Sequence, residues 1–298
     1  MENHNNEGCR RNKLNLLQVD RVADISTEEF IEKYFDPHVP VVLKDFAKDW
    51  PALKKWNFDH FKNTYGNNIV KTYDSRFVVP GKIYMSASKL CKFSDFLDIV
   101  LNGDPSHKMF LYNIKKECPD LVKDVIKPDL IKGFSENFYF MFFAAKGHET
   151  HLHIDIDMSH VFHTTFNGSK RFILIPNNES KNLYRHPYTV RSYVDIDNPD
   201  FNKYPRLKDI KKAWEVTIDA GETLFIPAGV WHSVYYEEST FSLALRCSHQ
   251  NISKRIHGFY NLFVMQMIDR TANYLCGKKW FEWKDKRARF LAETGARS

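Results

Sequence analysis

The sequence predicts a mainly β protein with flanking helices, and three observations carry that reading. Between about residues 137 and 250, short aromatic and β-branched runs alternate with Gly, Asn and Asp turns, the texture of an antiparallel sandwich or barrel. On either side the apolar residues fall at helical spacing instead. With 43% hydrophobic and 15% aromatic residues, the 298-residue chain can bury a full core, which excludes a disordered polymer.

Taken in order, residues 1–24 read as a flexible polar leader. Ser26 and Glu29 then form a capping box ahead of Phe30, Ile31, Tyr34 and Phe35 at helical spacing, and Asp36-Pro37-His38 ends that helix. Val39–Leu43 reads as a buried strand and Asp59–Tyr65 as a helix closed by Gly66-Asn67. Residues 25–136 are thus expected to be a helix-and-strand region packed on a barrel core at 137–250. Seven strands are expected in that core: Phe138–Ala145, Val161–Phe166, Arg171–Ile175, Glu215–Ile218, Thr223–Ile226, Ser233–Tyr236 and Phe241–Arg246. Residues 251–298 return to helix, with Phe263, Met267, Trp280 and Trp283 as large apolar positions, and are expected to dimerise.

No apolar run is long enough to span a bilayer, and the N-terminus lacks the apolar stretch of a secretory signal. The five cysteines are scattered and never paired as C-x-x-C, which speaks against a disulfide framework or a thiolate zinc site. A cytoplasmic, reducing environment is the expectation. Much of the +6 formal charge sits between Lys278 and Arg289, where six basic residues face two acids. Such a stretch can attract RNA, or it can be the solvated face of a helix.

Histidine placement is the strongest chemical signal. His151, His153, Asp155, Asp157, His160 and His163 crowd into thirteen residues. On an extended strand, positions i and i+2 share a face, so His153 and Asp155 can converge on one ion. His232, which ends the turn and apolar strand Gly221–Trp231, is the natural third ligand. Two histidines and one carboxylate form a facial triad with open positions, the arrangement of non-haem Fe(II) oxygenases. By itself H-x-D is common on protein surfaces; the conjunction with its surroundings is what distinguishes it. His151 shares that face by simple alternation and is the competing ligand, whereas Asp157 and His160 are not expected to bind metal.

Three segments together resemble the JmjC (cupin-like) hydroxylases: Thr150–Asp155, Phe166–Arg171 and Gly221–His232. The likeness extends to Val194–Pro205, similar to an insert between sheet strands, and to Pro40–Leu43 with Asp49–Ala52 near the N-terminus. It covers roughly residues 25–250 and is nearest to the branch holding the hypoxia-inducible-factor asparaginyl hydroxylase and the wybutosine-tRNA hydroxylase. The resemblance implies a double-stranded β-helix (cupin, jelly roll). It also implies His153, Asp155 and His232 as Fe(II) ligands, with 2-oxoglutarate and O2 as co-substrates. Lys170, seventeen residues past His153, and Thr150, three before it, fall where the family holds the distal carboxylate of 2-oxoglutarate. A buried carboxylate needs such a cation and hydroxyl to offset its desolvation. Tyr112 is a candidate pocket residue, with a core tyrosine as the competing reading.

The chain departs from its nearest branch in two respects. The interval from His153 to Lys170 is two residues longer, and His163 and Arg246 stand near positions where some relatives carry asparagine. The implied activity is hydroxylation of a protein or peptide side chain by a homodimer, with succinate and CO2 formed from 2-oxoglutarate. A tRNA or small-molecule substrate, a non-catalytic metal-binding cupin scaffold and a zinc hydrolase are the competing readings.

Overall fold

The computed structural model describes residues 14–74 and 89–295. Residues 1–13 of the expected leader lie outside that range. Among the described residues fourteen strands run in chain order. They are β1 (Leu17–Gln18), β2 (Asp20–Val22), β3 (Val41–Leu43), β4 (Ile69–Asp74), β5 (Lys89–Lys92), β6 (His107–Asn113), β7 (Phe134–Ala144), β8 (Glu149–His153), β9 (His160–Thr165), β10 (Ser169–Ile175), β11 (Trp214–Asp219), β12 (Thr223–Ile226), β13 (Trp231–Tyr236) and β14 (Thr240–Cys247). They form a five-stranded sheet, β1-β11-β10-β13-β8, and a nine-stranded sheet, β2-β3-β12-β9-β14-β7-β6-β4-β5. This is the cupin architecture, with all seven expected core strands present.

Period-two alternation explains how one sheet serves two cores. In β12, Leu224 and Ile226 face the space between the sheets, where they meet Val161, Phe172, Leu174, Val234 and Tyr236. Phe225, between them in sequence, turns to the opposite face and packs on Phe30 at 5.0 Å. That outer layer contains α1 (Thr27–Phe30), α2 (Ala52–Lys55), α3 (Phe58–Tyr65), α4 (Phe93–Leu101) and α5 (Ile114–Glu117). The capping box is partly realised: Glu29 N–H donates to Ser26 Oγ at 3.1 Å. A buried aromatic lattice, with Phe61 and Phe143 edge-on at 5.3 Å, ties this layer to the sheet.

The far face of the smaller sheet carries a third core. Ile173, Ile175 and Trp231 pack there against Val190, against the insert residues Val194 and Ile196 and against Met265 and Ala292. The last two come from the C-terminal helices α6 (Ile252–Tyr260), α7 (Gln266–Cys276) and α8 (Lys278–Thr294) and the turn joining α6 to α7. Residues 17–22, expected within the flexible leader, are instead extended. Leu17 pairs in parallel with Trp214 and Asp20 with Val41, one strand on each sheet. Val19 between them is buried in the inter-sheet core, but the strand side chains themselves are largely exposed, so the backbone ladder does most of the holding and a single apolar residue could not announce it. No helix among the described residues is long and apolar enough to cross a membrane, and the four described cysteines are free.

Candidate metal centre

Two neighbouring strands of the smaller sheet bring the histidines together. The antiparallel register sets His153, the last residue of β8, opposite His232, the second of β13, with ring centroids 4.2 Å apart. The next pair is Thr150 with Val234, so β8 spends three residues where β13 spends two. This bulge turns Thr150 and His153 to the same inner face. It also defeats the simple alternation that would place His151 beside His153. The His151 ring is 41% exposed and sits 3.0 Å from Glu149 Oε1. Asp155 follows just past the strand, where Ile154 N–H donates to Val190 O at 3.0 Å and Ile154 is buried. Asp155 Oδ2 lies 3.9 Å from His232 Nε2.

Hydrogen bonds settle what these groups can do. His153 Nδ1 is 2.8 Å from His151 O, and His232 Nδ1 is 3.1 Å from Val230 O. A carbonyl only accepts, so each Nδ1 carries the proton and each Nε2 keeps its lone pair. Burial, reinforced by His232 for His153, pushes both imidazoles to the neutral form. Burial also penalises the Asp155 carboxylate, yet the Arg246 guanidinium outweighs it and holds the pKa below the usual carboxylate value. The three ligand atoms lie within 4.8 Å of one another. Two neutral imidazoles and one carboxylate suit Fe(II) and leave positions open.

A second cluster, His38, His160 and His249, is equally tight but fails this test. His160 Nδ1 accepts from Ala228 N–H at 3.2 Å, and His249 Nδ1 accepts from Asn251 N–H at 3.1 Å. Their protons therefore sit on Nε2, and the cluster offers the lone pair of His38 Nε2 alone. His249 Nε2 faces that atom at 3.4 Å. This group is a packed set of rings held by backbone hydrogen bonds, with His160 stacked 4.4 Å from Phe35.

Deeper between the sheets, Lys170 is fully buried on β10. Its Nζ donates to Ser242 Oγ at 2.6 Å and lies 4.4 Å from the centre of the Tyr236 ring. Among the described residues it has no carboxylate partner, and burial, helped by Lys108, pushes its pKa far down. Thr150 Oγ1 accepts from Lys108 Nζ at 3.0 Å. Lys108 is 3% exposed, and burial followed by the charge of Arg191 lowers its pKa to about 7. Two buried lysines that burial drives toward the neutral amine, beside a hydroxyl, would regain their charge against an anion and hold it there. The sequence reading missed Lys108; the only signal was a lysine inside the apolar run that became β6.

Tyr112, the third candidate for this pocket, is not brought to it. A bulge between Met109 and Tyr112, with Leu111 at φ +56°, redirects β6. The Tyr112 hydroxyl instead meets Cys118 Sγ at 3.2 Å and its ring packs on Phe93 in the helical layer. His163 does enter, 3.4 Å from Lys170 Nζ. Arg246 enters as well, pairing with Asp155 Oδ1 at 2.7 Å.

The comparisons agree with this geometry. A cupin-like domain family model matches residues 26–254. A lysine-specific demethylase of Arabidopsis thaliana is 26% identical over 76% of this chain and 25% of its own length. A tRNA wybutosine-synthesizing protein of Gallus gallus is 28% identical over 77% of this chain and 76% of its own. A JmjC domain-containing protein of Dictyostelium discoideum is 28% identical over 73% and 53%. The chain therefore spans a quarter to three-quarters of the relatives it resembles. It belongs to the cupin-like domain family and is similar to JmjC domain-containing proteins.

Proposed function

We propose that this chain hydroxylates a side chain of a protein or peptide, using Fe(II), O2 and 2-oxoglutarate. The observation that carries the reading is the tautomer-fixed pair His153 and His232 with Asp155 beside the buried Lys170. When bound, Fe(II) would activate O2 as the oxidant, one oxygen atom going to the substrate and the other to 2-oxoglutarate, which leaves as succinate and CO2. The protein's residues do the rest. His153, Asp155 and His232 hold the metal, Lys170 takes the distal carboxylate of the co-substrate, and Thr150, steadied by Lys108, shares it. The apolar walls Phe172, Val234 and Tyr236 keep bulk water from the reacting face. A metal-binding scaffold without turnover would have no use for a buried lysine poised for an anion.

The fate of the basic C-terminal stretch bears on the choice of a protein substrate over tRNA. Lys284 is 2% exposed and donates to Asp269 at 2.6 Å, so it is sealed in the helix packing. Arg289 is held by Asp285 and by Lys203 O. That leaves four of the six basic residues, Lys278, Lys279, Lys286 and Arg287, exposed to meet phosphate. The likeness to a tRNA wybutosine-synthesizing protein over most of its length keeps tRNA as the second reading. That mode would weaken steeply with salt through counterion release. Substrate trapping with the Mn(II) form, followed by mass spectrometry, tests the choice. A peptide gaining one oxygen on Fe(II) turnover supports the proposal; a salt-sensitive tRNA complex that is hydroxylated overturns it.

A homodimer through the C-terminal helices belongs to the same proposal. Ile256, Phe259, Phe263, Met267, Tyr274 and Leu275 are each more than half exposed along α6, α7 and their junction. Apolar surface of that extent calls for a partner.

A further inference from the structure

Arg246 departs from what a metal centre of neutral imidazoles and one carboxylate requires: it puts a cation against a ligand. It projects from β14, where it pairs with Val161 of β9, into the space between the sheets, and is 7% exposed. Nη2 meets Asp155 Oδ1 at 2.7 Å, while Nη1 reaches Ser159 Oγ at 3.2 Å and Asp157 Oδ1 at 3.4 Å. Asp157 in turn accepts from the Ser159 hydroxyl at 2.9 Å. The guanidinium thus forks across two carboxylates and pins the turn that follows the ligand strand.

We propose that Arg246 is a positioning residue of the metal centre: by occupying Asp155 Oδ1 it leaves a single oxygen to ligate. This rests on the reading of His153, Asp155 and His232 as the metal ligands. The consequence follows from counting positions. An ion of six positions that receives three protein atoms has three left, two for a chelating 2-oxo acid and one for O2. A carboxylate with both oxygens free can take two positions and close one of those three. Arg246 prevents this with one charge-assisted hydrogen bond and keeps Oδ2 turned toward His232.

The test is calorimetric and needs no turnover. Mn(II) is titrated into the metal-free 298-residue chain, and 2-oxoglutarate is then titrated into the Mn(II) form. Arg246→Met, which keeps the apolar stem and removes both donors, should still bind Mn(II). Its Mn(II) form should bind 2-oxoglutarate at least about tenfold more weakly than the parent. Arg246→Gln loses the charge but can still donate to Oδ1, so it should recover most of that affinity. This arm separates occupation of the oxygen from simple attraction between a cation and the co-substrate. Unchanged 2-oxoglutarate affinity in Arg246→Met, or Arg246→Gln binding as weakly as Arg246→Met, overturns the proposal. Should Arg246→Met fail to fold, Arg246→Gln must stay within a few-fold of the parent, and a larger loss overturns it. A parent chain that binds neither Mn(II) nor 2-oxoglutarate would instead sink the ligand assignment on which this rests.

Discussion

His151 and His153 are the same residue type two positions apart, and the fold uses them oppositely. One side chain meets Glu149 at the surface, while the other meets His232 between the sheets. His153→Ala or His232→Ala should abolish Mn(II) binding in calorimetry, because two remaining ligands hold the ion weakly; His151→Ala should retain it. A dead His151→Ala with an active His153→Ala would reverse the assignment. Lys170→Ala should spare metal binding and cost about 3–5 kcal/mol of 2-oxoglutarate affinity, the usual loss when one partner of a buried charge pair is removed. Thr150→Val deletes one hydrogen bond to a charged group and should cost about 1.5–3 kcal/mol. Equal 2-oxoglutarate affinity in the parent and Lys170→Ala would exclude Lys170 as the anchor. At this scale the meeting of His153, Asp155 and His232 was legible because their spacing repeats a known pattern. Lys108 and the fork of Arg246 were not, since both act across strands that lie far apart in the chain.

Bulges and helix contacts decide where these side chains point, and a sequence period does not announce them. The extra residue in β8 turns Thr150 inward, and the bulge in β6 sends Tyr112 away from the pocket. The central strands were legible because β-branched and aromatic runs mark sheets buried on both faces. Strands β4, β5 and β6 were not, since exposed Ile69, Leu90 and several lysines dilute their pattern. Helix α6 offers an element-scale test. A Cβ at Gly258 would lie 2.2 Å from Asp157 O, in the turn that Arg246 pins. Gly258→Ala should gain up to about 1 kcal/mol in helix propensity, yet lose more by forcing helix and turn apart. A lower melting temperature together with weaker Mn(II) binding is the expected result, whereas a stabilised variant with parental affinity would show that α6 does not support the metal turn. Truncation after Asn251 should yield a monomer by light scattering. A parent chain already monomeric at micromolar concentration would refute the dimer.

For the molecule as a whole, four layers stack from the N-terminal helices through two sheets to the C-terminal helices, and buried histidines make that stack acid-sensitive. Burial pushes the pKa of His148 and of His160 down to about 3, from the 6.5 of a free imidazole. Between those values the unfolded chain binds protons that the folded chain refuses. Stability from this source is therefore complete above about pH 6.5 and falls as pH drops toward 3. The loss is up to about 1.4 kcal/mol per pH unit for each histidine. Urea midpoints should fall steadily from pH 6.5 to 5, less so in His160→Gln; a flat profile would contradict the assignment. Fold class and family were legible at this scale because three separated motifs have to meet in one barrel. The covering of that barrel was not, because the face that α8 buries, Lys284, Ala288 and Ala292, carries no large apolar residue to mark it. The central claim, that His153, Asp155 and His232 hold Fe(II) so that 2-oxoglutarate chelates it, has one direct measurement. Fe(II) and then 2-oxoglutarate are added under anaerobic conditions while the visible absorption is recorded. A charge-transfer band should appear with 2-oxoglutarate, stay absent with succinate, and be lost in His232→Ala. No band in the parent chain, or the same band in His232→Ala, would contradict the account.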